Sequence, residues 1–561
     1  MSVISEEKLE EIQEMIFDGQ LKDVVKLTEE LLKKKNLAEI DKFRMIVLQS
    51  QAYMFINDLT KSIEIIDKVI TKFDSISDDI LKLDAIWQKA YSLSLKGALK
   101  ESLDYIEQGY SLIKTLKKAD TKKISFREAF LNYIKSMNLY FMARFDESIS
   151  YGELAHKAAL NSESEFAKIS FKAWFGFIVG IQRKYPEADR LGDESLALAL
   201  KEDKKLLLGI AYYMAGTIKF ITKKYNESIE LLLKSVEVFN EIGSRLALEG
   251  IYNHLGNAYS KFYDFEKTVE YYELAMNENG PFKSGISSNL AGIYLITNEI
   301  EKAHELFKLT LDHSKKIGMI LVLPYALYNL ILTSLLLNKK DLAEKYFGEL
   351  EQLHNNSDNP HIKARYQFAQ ILMLKESTKV QDWFKAIELI EKLLADETFP
   401  EYYHYDVLYN LVELRLKELQ LTADKEILAE VKKQIDKIQN YAEKDNQSYL
   451  TTNLYRLKSQ LALVELDVEK AIEFLVTAKT IATERNYYLI VDNIQKDLAK
   501  IDEQKKMWIN LQDQKAPIED ALKQIKIDNS AREIASETIV EVRAEGTDEV
   551  INYRKLFALK L

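Results

Sequence analysis

The chain has 561 residues, 47% hydrophobic and 29% charged, which suits a protein with a large core and excludes a disordered or collagen-like chain. Its 18 glycines and 6 prolines fall below the roughly 7% and 5% of ordinary usage, which disfavours turn-rich sheets and favours an all-α class. A net charge of -11 provides no overall positive field for nucleic acid, and the lack of cysteine excludes disulfides, zinc ribbons and thiol nucleophiles.

The chain begins without a basic region followed by an apolar run, so we expect no signal peptide and a cytoplasmic location. One stretch, Met319–Leu337, is uncharged for long enough to cross a bilayer. Pro324 and Asn329 interrupt it, and it falls in register with the repeat described next. We therefore predict a helix buried between neighbouring helices and no membrane span.

A small residue recurs about every forty positions, each time after a charged corner and before an apolar-periodic segment. Its members are Ser62, Ser102, Ser148, Ala188, Ser228, Thr268, Ala303, Ala343, Ala386 and Ala471, with weaker members near Val24 and Ala429. So regular a period is typical of a repeat architecture. Each unit reads as two amphipathic helices, A and B, joined by a tight corner.

The small residue has a physical role in this reading. Where helices A and B cross closely, a bulky side chain would hold their axes apart, so Ser, Ala or Thr is required there. No single hairpin can bury both sides of its apolar stripe, so successive hairpins stack on one another. The sequence thus predicts a continuous solenoid of helices.

The best-formed unit resembles the tetratricopeptide (TPR) repeat. The residues that match its signature, in family order, are Tyr252, Leu255, Gly256, Tyr259, Thr268, Tyr272 and Ala275, and the next unit repeats it with Leu290, Ala291, Tyr294, Ala303 and Phe307. The long period is similar to that of kinesin light chains, of MalT-like and Rap-like regulators, and of large archaeal TPR proteins. The resemblance implies a right-handed, all-α superhelix of about twelve hairpins.

The predicted organisation has three parts. Residues 1–490 form the repeat array, residues 491–515 a capping helix, and residues 516–561 a tail without the repeat. The tail has two β-favouring segments around the Glu545–Gly546 turn, which favours a short hairpin, although a terminal helix or a flexible peptide is equally compatible.

The resemblance also implies that A helices line a concave face where ligands bind. On the A helix around residue 255, a polar stripe with a spacing of four is formed by Asn253, Asn257 and Lys261. Asn289 and Asn329 fall at one equivalent position in the next two A helices, directly before a leucine. These residues are the predicted peptide-binding site.

Asparagine suits such a site because its amide both donates and accepts, so it can pair with the main chain of an extended peptide of any sequence. Tyr213 and Tyr325, on flanking A helices, would add stacking or apolar pockets. The competing interpretation is that these asparagines are simply solvated, since the composition is rich in Lys, Ile, Asn and Tyr.

Two other functions are disfavoured. A TPR clamp for the C-terminal tails of Hsp70 or Hsp90 needs cations where this chain has Asn253, Tyr325 and Asn329. An enzyme is not supported, because no Walker A, Rossmann, GxSxG or HExxH motif occurs and the seven histidines have no metal-ligand spacing. We predict no catalytic residue, no metal and no cofactor.

The sequence therefore predicts a non-enzymatic scaffold or adaptor that holds an extended protein or peptide segment in the groove of a TPR superhelix. The alternative is a regulatory sensor whose superhelix changes pitch when it binds a peptide or small effector.

Overall fold

The structure is a computed structural model that describes residues 4–34, 36–116, 121–142, 144–278, 283–317, 322–396, 399, 404–422, 424–445, 448–465 and 467–513. Its regular elements, within those residues, are 25 α-helices and one 3₁₀ helix, Phe73–Ser75. The predicted all-α class is confirmed. The tail predicted for residues 516–561 lies outside the described residues.

The helices follow one another in pairs along the chain. The first fourteen are α1 Glu6–Phe17, α2 Leu21–Leu32, α3 Glu39–Ile56, α4 Leu59–Ile70, α5 Asp79–Leu95, α6 Leu99–Thr115, α7 Thr121–Phe141, α8 Phe145–Leu160, α9 Glu165–Ile181, α10 Tyr185–Glu202, α11 Lys205–Ile221, α12 Tyr225–Glu241, α13 Leu248–Ser260 and α14 Phe265–Met276. The others are α15 Lys283–Ile296, α16 Ile300–Ile317, α17 Leu323–Leu336, α18 Lys340–Asn355, α19 Pro360–Lys375, α20 Val380–Ala395, α21 His404–Thr422, α22 Lys425–Asp445, α23 Ser448–Val464, α24 Val468–Glu484 and α25 Tyr488–Asp513. The helices α1 to α24 form twelve successive hairpins, and α25 follows the last of them, so the predicted number of hairpins is confirmed.

The helices group into two compact units. The first comprises residues 4–293 and 305–326, and the second comprises residues 294–304 and 327–513. In the first unit, the A helices of successive hairpins (α3, α5, α7, α9, α11 and α13) contact one another closely, whereas the B helices between them make at most marginal mutual contact in the described residues. Since the helices on the inside of a curved array are the ones that crowd together, the A helices line the concave face of this unit.

One residue in the left-handed region turns the chain between helices A and B of most hairpins. Examples are Asn57 at φ 77°, Gly97 at φ 84° and Lys223 at φ 66°. The amide of the next residue then bonds back over the helix end, as Lys224 N does to Lys219 O at 2.8 Å. This is the capping pattern that closes a helix C-terminus and frees the chain to reverse. The short polar corners predicted from the sequence are therefore tight, hydrogen-bonded turns.

The recurring small residue lies where helices A and B cross, as predicted. Its partner is the residue twelve positions earlier on helix A: the hydroxyls of Ser50 and Ser62 lie 2.9 Å apart, and Ser148 Oγ donates to Ser136 O at 2.8 Å. All four serines are buried, at 1% exposure or less. A larger side chain at the crossing would force the two axes apart.

The hairpins of the first unit bend round until the beginning of the array touches a later part. The hydroxyl of Ser244, in the loop before α13, donates to the carbonyl of Phe55 at the end of α3 at 2.5 Å, across 189 residues of chain. Ser244 is 1% exposed. A contact of this range is not a property of neighbouring repeats, because each repeat of an open solenoid touches only the next.

The apolar stretch considered as a membrane span belongs largely to α17, a helix of 14 residues. In the described part of the chain, no helix is both long and apolar enough to cross a membrane. Ala326 and Leu330 on α17 are fully buried.

Candidate partner-binding site

Three of the predicted asparagines come together in the first unit, between α13 and α15. Asn253 and Asn257 lie one turn apart on α13, and Asn289 lies on α15. The Nδ2 group of Asn289 donates to Oδ1 of Asn253 at 3.0 Å and to Oδ1 of Asn257 at 3.3 Å. The amides thus form one cluster that joins two successive A helices.

The amide cluster keeps unused hydrogen-bonding capacity. Within the described residues, the Nδ2 groups of Asn253 and Asn257 have no hydrogen-bond acceptor, and Oδ1 of Asn289 has no donor. None of these atoms is buried without a partner, so all three remain accessible to solvent. A cluster with free donors and a free acceptor can pair with both the C=O and the N–H groups of another chain.

Tyr272, on α14, fixes one member of the cluster. Its hydroxyl donates to Oδ1 of Asn257 at 2.7 Å, and its ring is 2% exposed. Burial raises the pKa of Tyr272 above its ordinary value, so the hydroxyl stays protonated and remains a donor. The ring reaches this position because residue 256 is glycine: a Cβ there would lie 2.6 Å from Cε1 of Tyr272.

Tyr213, on α11, lies beside the start of α13. A Cβ on residue 250 would lie 2.3 Å from its hydroxyl oxygen, so Gly250 provides the room. The ring centroids of Tyr213 and His254 are 5.9 Å apart. Burial lowers the pKa of His254 to about 4, so its imidazole is neutral near pH 7. This wall of the site is therefore aromatic, and His254 adds no charge to it.

The other predicted residues are placed less uniformly. The ring of Tyr325 packs edge-on against Phe307, with centroids 6.1 Å apart. Lys261 caps the C-terminus of α13 and is exposed. Asn329 belongs to the second unit and is only 5% exposed, and its carbonyl accepts from Oγ1 of Thr333 at 2.8 Å. The assignment of Asn329 to the site stays a prediction.

Sequence reasoning missed a row of half-buried tyrosines on the A helices of the first unit. The hydroxyls of Tyr91 on α5 and Tyr133 on α7 lie 3.3 Å apart. Tyr140, two turns further along α7, packs edge-on against Trp174 with centroids 6.3 Å apart. Burial raises the pKa of all three tyrosines. Together they give the A helices α5 and α7 a surface of aromatic rings.

One signal in the sequence marks part of this row. Tyr133, Tyr213 and Asn253 each stand three positions before the small residue of their A helix, which is Ser136, Gly216 or Gly256. Equivalent positions in a stacked array project in equivalent directions. The two tyrosines therefore line the same surface as Asn253.

The A helices of the second unit carry ionic contacts instead. Nζ of Lys375 on α19 lies 2.8 Å from Oε2 of Glu413 on α21 and 2.8 Å from Oδ1 of Asn410. Arg456 on α23 pairs with Asp497 on α25, at 3.2 Å between Nη2 and Oδ2. Each of these charges has a partner of opposite sign, although Nε of Arg456 is buried without a hydrogen-bond partner in the described part of the chain.

No protein-family profile matches the chain, and no curated protein matches it either. Among solved structures, a Rap protein in complex with the Competence and Sporulation Factor is 13% identical, with a TM-score of 0.44, covering 64% of this chain and 100% of that one. The apo form of the quorum sensor NprR from B. thuringiensis is 13% identical, with a TM-score of 0.45 and coverages of 64% and 99%.

Yeast Tom70 is 15% identical, with a TM-score of 0.35, covering 89% of this chain and 97% of that one. These neighbours are TPR-like helical repeat proteins, the class that the sequence resembles. At such low identities and scores, the likeness does not indicate what this chain binds.

Proposed function

We propose that the protein is a non-enzymatic scaffold or adaptor that holds an extended protein segment on the concave face of its first unit. The observation that carries this proposal is the amide cluster of Asn253, Asn257 and Asn289, with its free donors and acceptor. The main chain of an extended segment offers N–H and C=O groups in alternation, which such a cluster can satisfy.

The surroundings suit a segment with apolar side chains. Tyr133 and Tyr213 stand at positions equivalent to Asn253 and present rings with protonated hydroxyls. Rings of this kind supply contact area at a low cost in conformational entropy, while the amides supply hydrogen bonds. His254 adds no charge, because burial lowers its pKa to about 4. We therefore expect a ligand recognised through its backbone and a few apolar side chains.

The test is a binding comparison on an immobilised peptide library, followed by titration of the retained peptides. Changing Asn257→Ala together with Asn289→Ala should weaken binding at least about tenfold, since two amide hydrogen bonds are each worth roughly 1 kcal/mol. The melting temperature should fall by only a few degrees, because both side chains are partly exposed.

The matched control changes two exposed asparagines, Asn226→Ala on α12 and Asn277→Ala at the C-terminal cap of α14, which touch neither the cluster nor its aromatic wall. It should bind like the parent protein. Equal affinity of the cluster variant and this control would remove the amide cluster as the binding site.

A sensor that changes shape on binding is the second candidate. The observation that favours it is the contact of Ser244 with Phe55, which holds the first unit closed across 189 residues of chain. Breaking this contact would give an open conformation, and a ligand that binds one of the two conformations more tightly shifts the population towards it. Small-angle scattering with and without a retained peptide decides between the two functions. A change in the radius of gyration supports the sensor, and an unchanged curve supports the rigid scaffold.

A further inference from the structure

The first two hairpins of the first unit bridge to corners of much later hairpins. The elements that reach across are the end of α1, with the turn that follows it, and the end of α3. The elements that receive them are the corners before α9, α11 and α13. We call this set of contacts the clasp, and it consists of Glu14, Phe17, Asp18, Gly19, Phe55, Phe166, Lys204, Ile242 and Ser244.

An aromatic contact forms the first part of the clasp, at the start of α9. The rings of Phe17 and Phe166 are stacked, with centroids 5.1 Å apart and planes inclined by 14°. Phe55 meets the same ring edge-on at 6.3 Å. The helices α1 and α3 therefore share one anchor, Phe166, which is 7% exposed.

An ionic contact forms the second part, before α11. Nζ of Lys204 lies 2.7 Å from Oε2 of Glu14 and 3.5 Å from Oδ1 of Asp18. Hydrogen bonding to Glu14 raises the pKa of Lys204, against a smaller opposing effect of burial. These side chains are a third to a half exposed, so water screens the pairing and the contact can be exchanged for hydration.

Close backbone packing forms the third part, before α13. Gly19 adopts φ +79°, and a Cβ on it would lie 2.4 Å from Cγ2 of Ile242. Beside it, the Ser244 hydroxyl donates to Phe55 O. This corner leads directly into α13, which carries Asn253 and Asn257. The clasp thus holds the start of the helix that presents the amides.

We propose that this clasp is releasable and that it controls access to the concave face of the first unit. In this proposal, the closed clasp joins the first two hairpins to the fifth to seventh, so a partner chain reaches the A helices by threading a free end. Opening requires separation of the two ring contacts of Phe166, the exposed ion pairs of Lys204, the packing of Gly19 on Ile242, the hydrogen bond of Ser244 and the contact between α1 and α11, and it leaves every hairpin intact. The consequence for the amide cluster rests on the proposed function, whereas the clasp itself does not.

Thiol protection tests the clasp without any ligand, because the natural chain has no cysteine. In Ser244→Cys, the single thiol should react with a maleimide at least about tenfold more slowly than the thiol of Glu237→Cys, an exposed position on the preceding helix. The reason is that a thiol buried in a contact reacts only in the fraction of molecules in which that contact is open. Equal rates at the two positions would overturn the proposal.

Release variants sharpen this test. Lys204→Glu faces Glu14 and Asp18 with a like charge and should speed the reaction at position 244 at least about threefold, and so should Phe17→Ala, which removes the stacked ring. Adding Glu14→Lys and Asp18→Lys to Lys204→Glu restores opposite charges and should restore protection. The control Phe262→Ala removes an exposed ring of the same size and should change nothing. Protection unchanged by either release variant would show that the contact does not open.

Cross-linking tests the control of access. Glu14→Cys with Lys204→Cys, joined by a short bis-maleimide, locks the clasp. The locked protein should still bind a free peptide retained from the library. Its affinity should fall at least about tenfold for the same peptide fused at both ends to folded domains, because those domains cannot thread. The unlinked protein should bind both forms of the peptide. Equal binding of the fused peptide by locked and unlinked protein would refute control of access. Loss of binding in Asn257→Ala/Asn289→Ala, by contrast, concerns the amide cluster alone.

Discussion

Tyr272 donates its hydroxyl hydrogen to Oδ1 of Asn257 at 2.7 Å, from a B helix to the A helix of the same hairpin. The bond occupies one acceptor position of Asn257 and leaves its Nδ2 group free. The orientation of the amide is therefore set from inside the hairpin, while its donors are available outside. Tyr272, in the core, therefore orients the amide of Asn257 in the absence of a ligand.

Removal of the Tyr272 hydroxyl should lower the stability of the fold slightly and weaken peptide binding slightly. In Tyr272→Phe we expect a loss of about 1 kcal/mol in the free energy of unfolding, from one buried hydrogen bond. Retained peptides should bind a few-fold more weakly, because Asn257 then samples more orientations. Urea denaturation and peptide titration measure the two effects. Tighter peptide binding in Tyr272→Phe would show that the hydroxyl competes with the ligand for Asn257.

Glycine at position 256 should be essential for packing, unlike glycine at position 292. In Gly256→Ala, the new methyl would lie 2.6 Å from the ring of Tyr272, and we expect a destabilisation of about 1–3 kcal/mol. The matched control is Gly292→Ala, also within an A helix, where the nearest heavy atom lies 3.9 Å away. That control should gain up to about 1 kcal/mol from helix propensity. Thermal unfolding followed by circular dichroism compares the two, and equal stabilities would contradict the close approach of the ring.

His254 should make the first unit sensitive to acid. Burial lowers its folded-state pKa from 6.5 to about 4, so the folded protein holds this imidazole neutral where the unfolded chain protonates it. The associated stability is fully present above pH 6.5 and is lost as the pH falls towards 4, to a maximum of about 3 kcal/mol. In His254→Gln this part of the pH dependence should disappear. A titration of the histidine by NMR with a midpoint near 6.5 would contradict the expectation.

Removal of only one member of the Lys375–Glu413 pair should lower the stability of the second unit, whereas removal of both members should cost little. Its side chains are 16% and 25% exposed. Burial tends to raise the pKa of Glu413, but the charge and hydrogen bond of Lys375, together with the charges of Arg456 and Lys417, outweigh it, so the net shift is downward. Stability from this carboxylate is thus present above its ordinary pKa and is lost as the pH falls below it.

Lys375→Met alone should cost about 2 kcal/mol at pH 7, because it leaves a poorly solvated carboxylate, while Lys375→Met with Glu413→Leu should recover most of that loss. Denaturant unfolding at pH 7 and at pH 4 measures both variants. If the double variant were as unstable as the single one at pH 7, the desolvation argument would be wrong.

Local features of the fold were predictable because they depend on short sequence separations. The small residues at Ser62 and Ser148 meet partners only twelve positions away, and the crossing requires a small side chain whatever the rest of the protein does. Corners were predictable for a similar reason, since Asn57 and Gly97 suit a left-handed turn. The left-handed Lys223 gave no such signal, because its conformation is imposed by the hairpin around it.

The site was predictable in part. Asn289 precedes a leucine just as His254 does, so by repeat position it is the equivalent of His254 and not of Asn253. It nevertheless reaches Asn253, because neighbouring A helices lie close enough for side chains to cross between them. Burial of Asn329 and the division into two units depend on tertiary packing, which periodicity does not report. The bond between Ser244 and Phe55 joins residues too far apart for any repeat pattern to indicate.

The twelve-residue interval within a hairpin stays fixed while the interval between hairpins varies. From Ser62 to Ser102 the chain advances 40 residues and from Ser102 to Ser148 it advances 46, yet Ser102 still bonds to Ala90 O at 2.7 Å and Ser148 to Ser136 O at 2.8 Å. Extra residues are thus accommodated between successive hairpins and not at the crossing of helices A and B within a hairpin. Such a chain can acquire or shed residues between modules over evolutionary time, and an engineer could splice a tag or an extra loop there without disturbing how any single module closes.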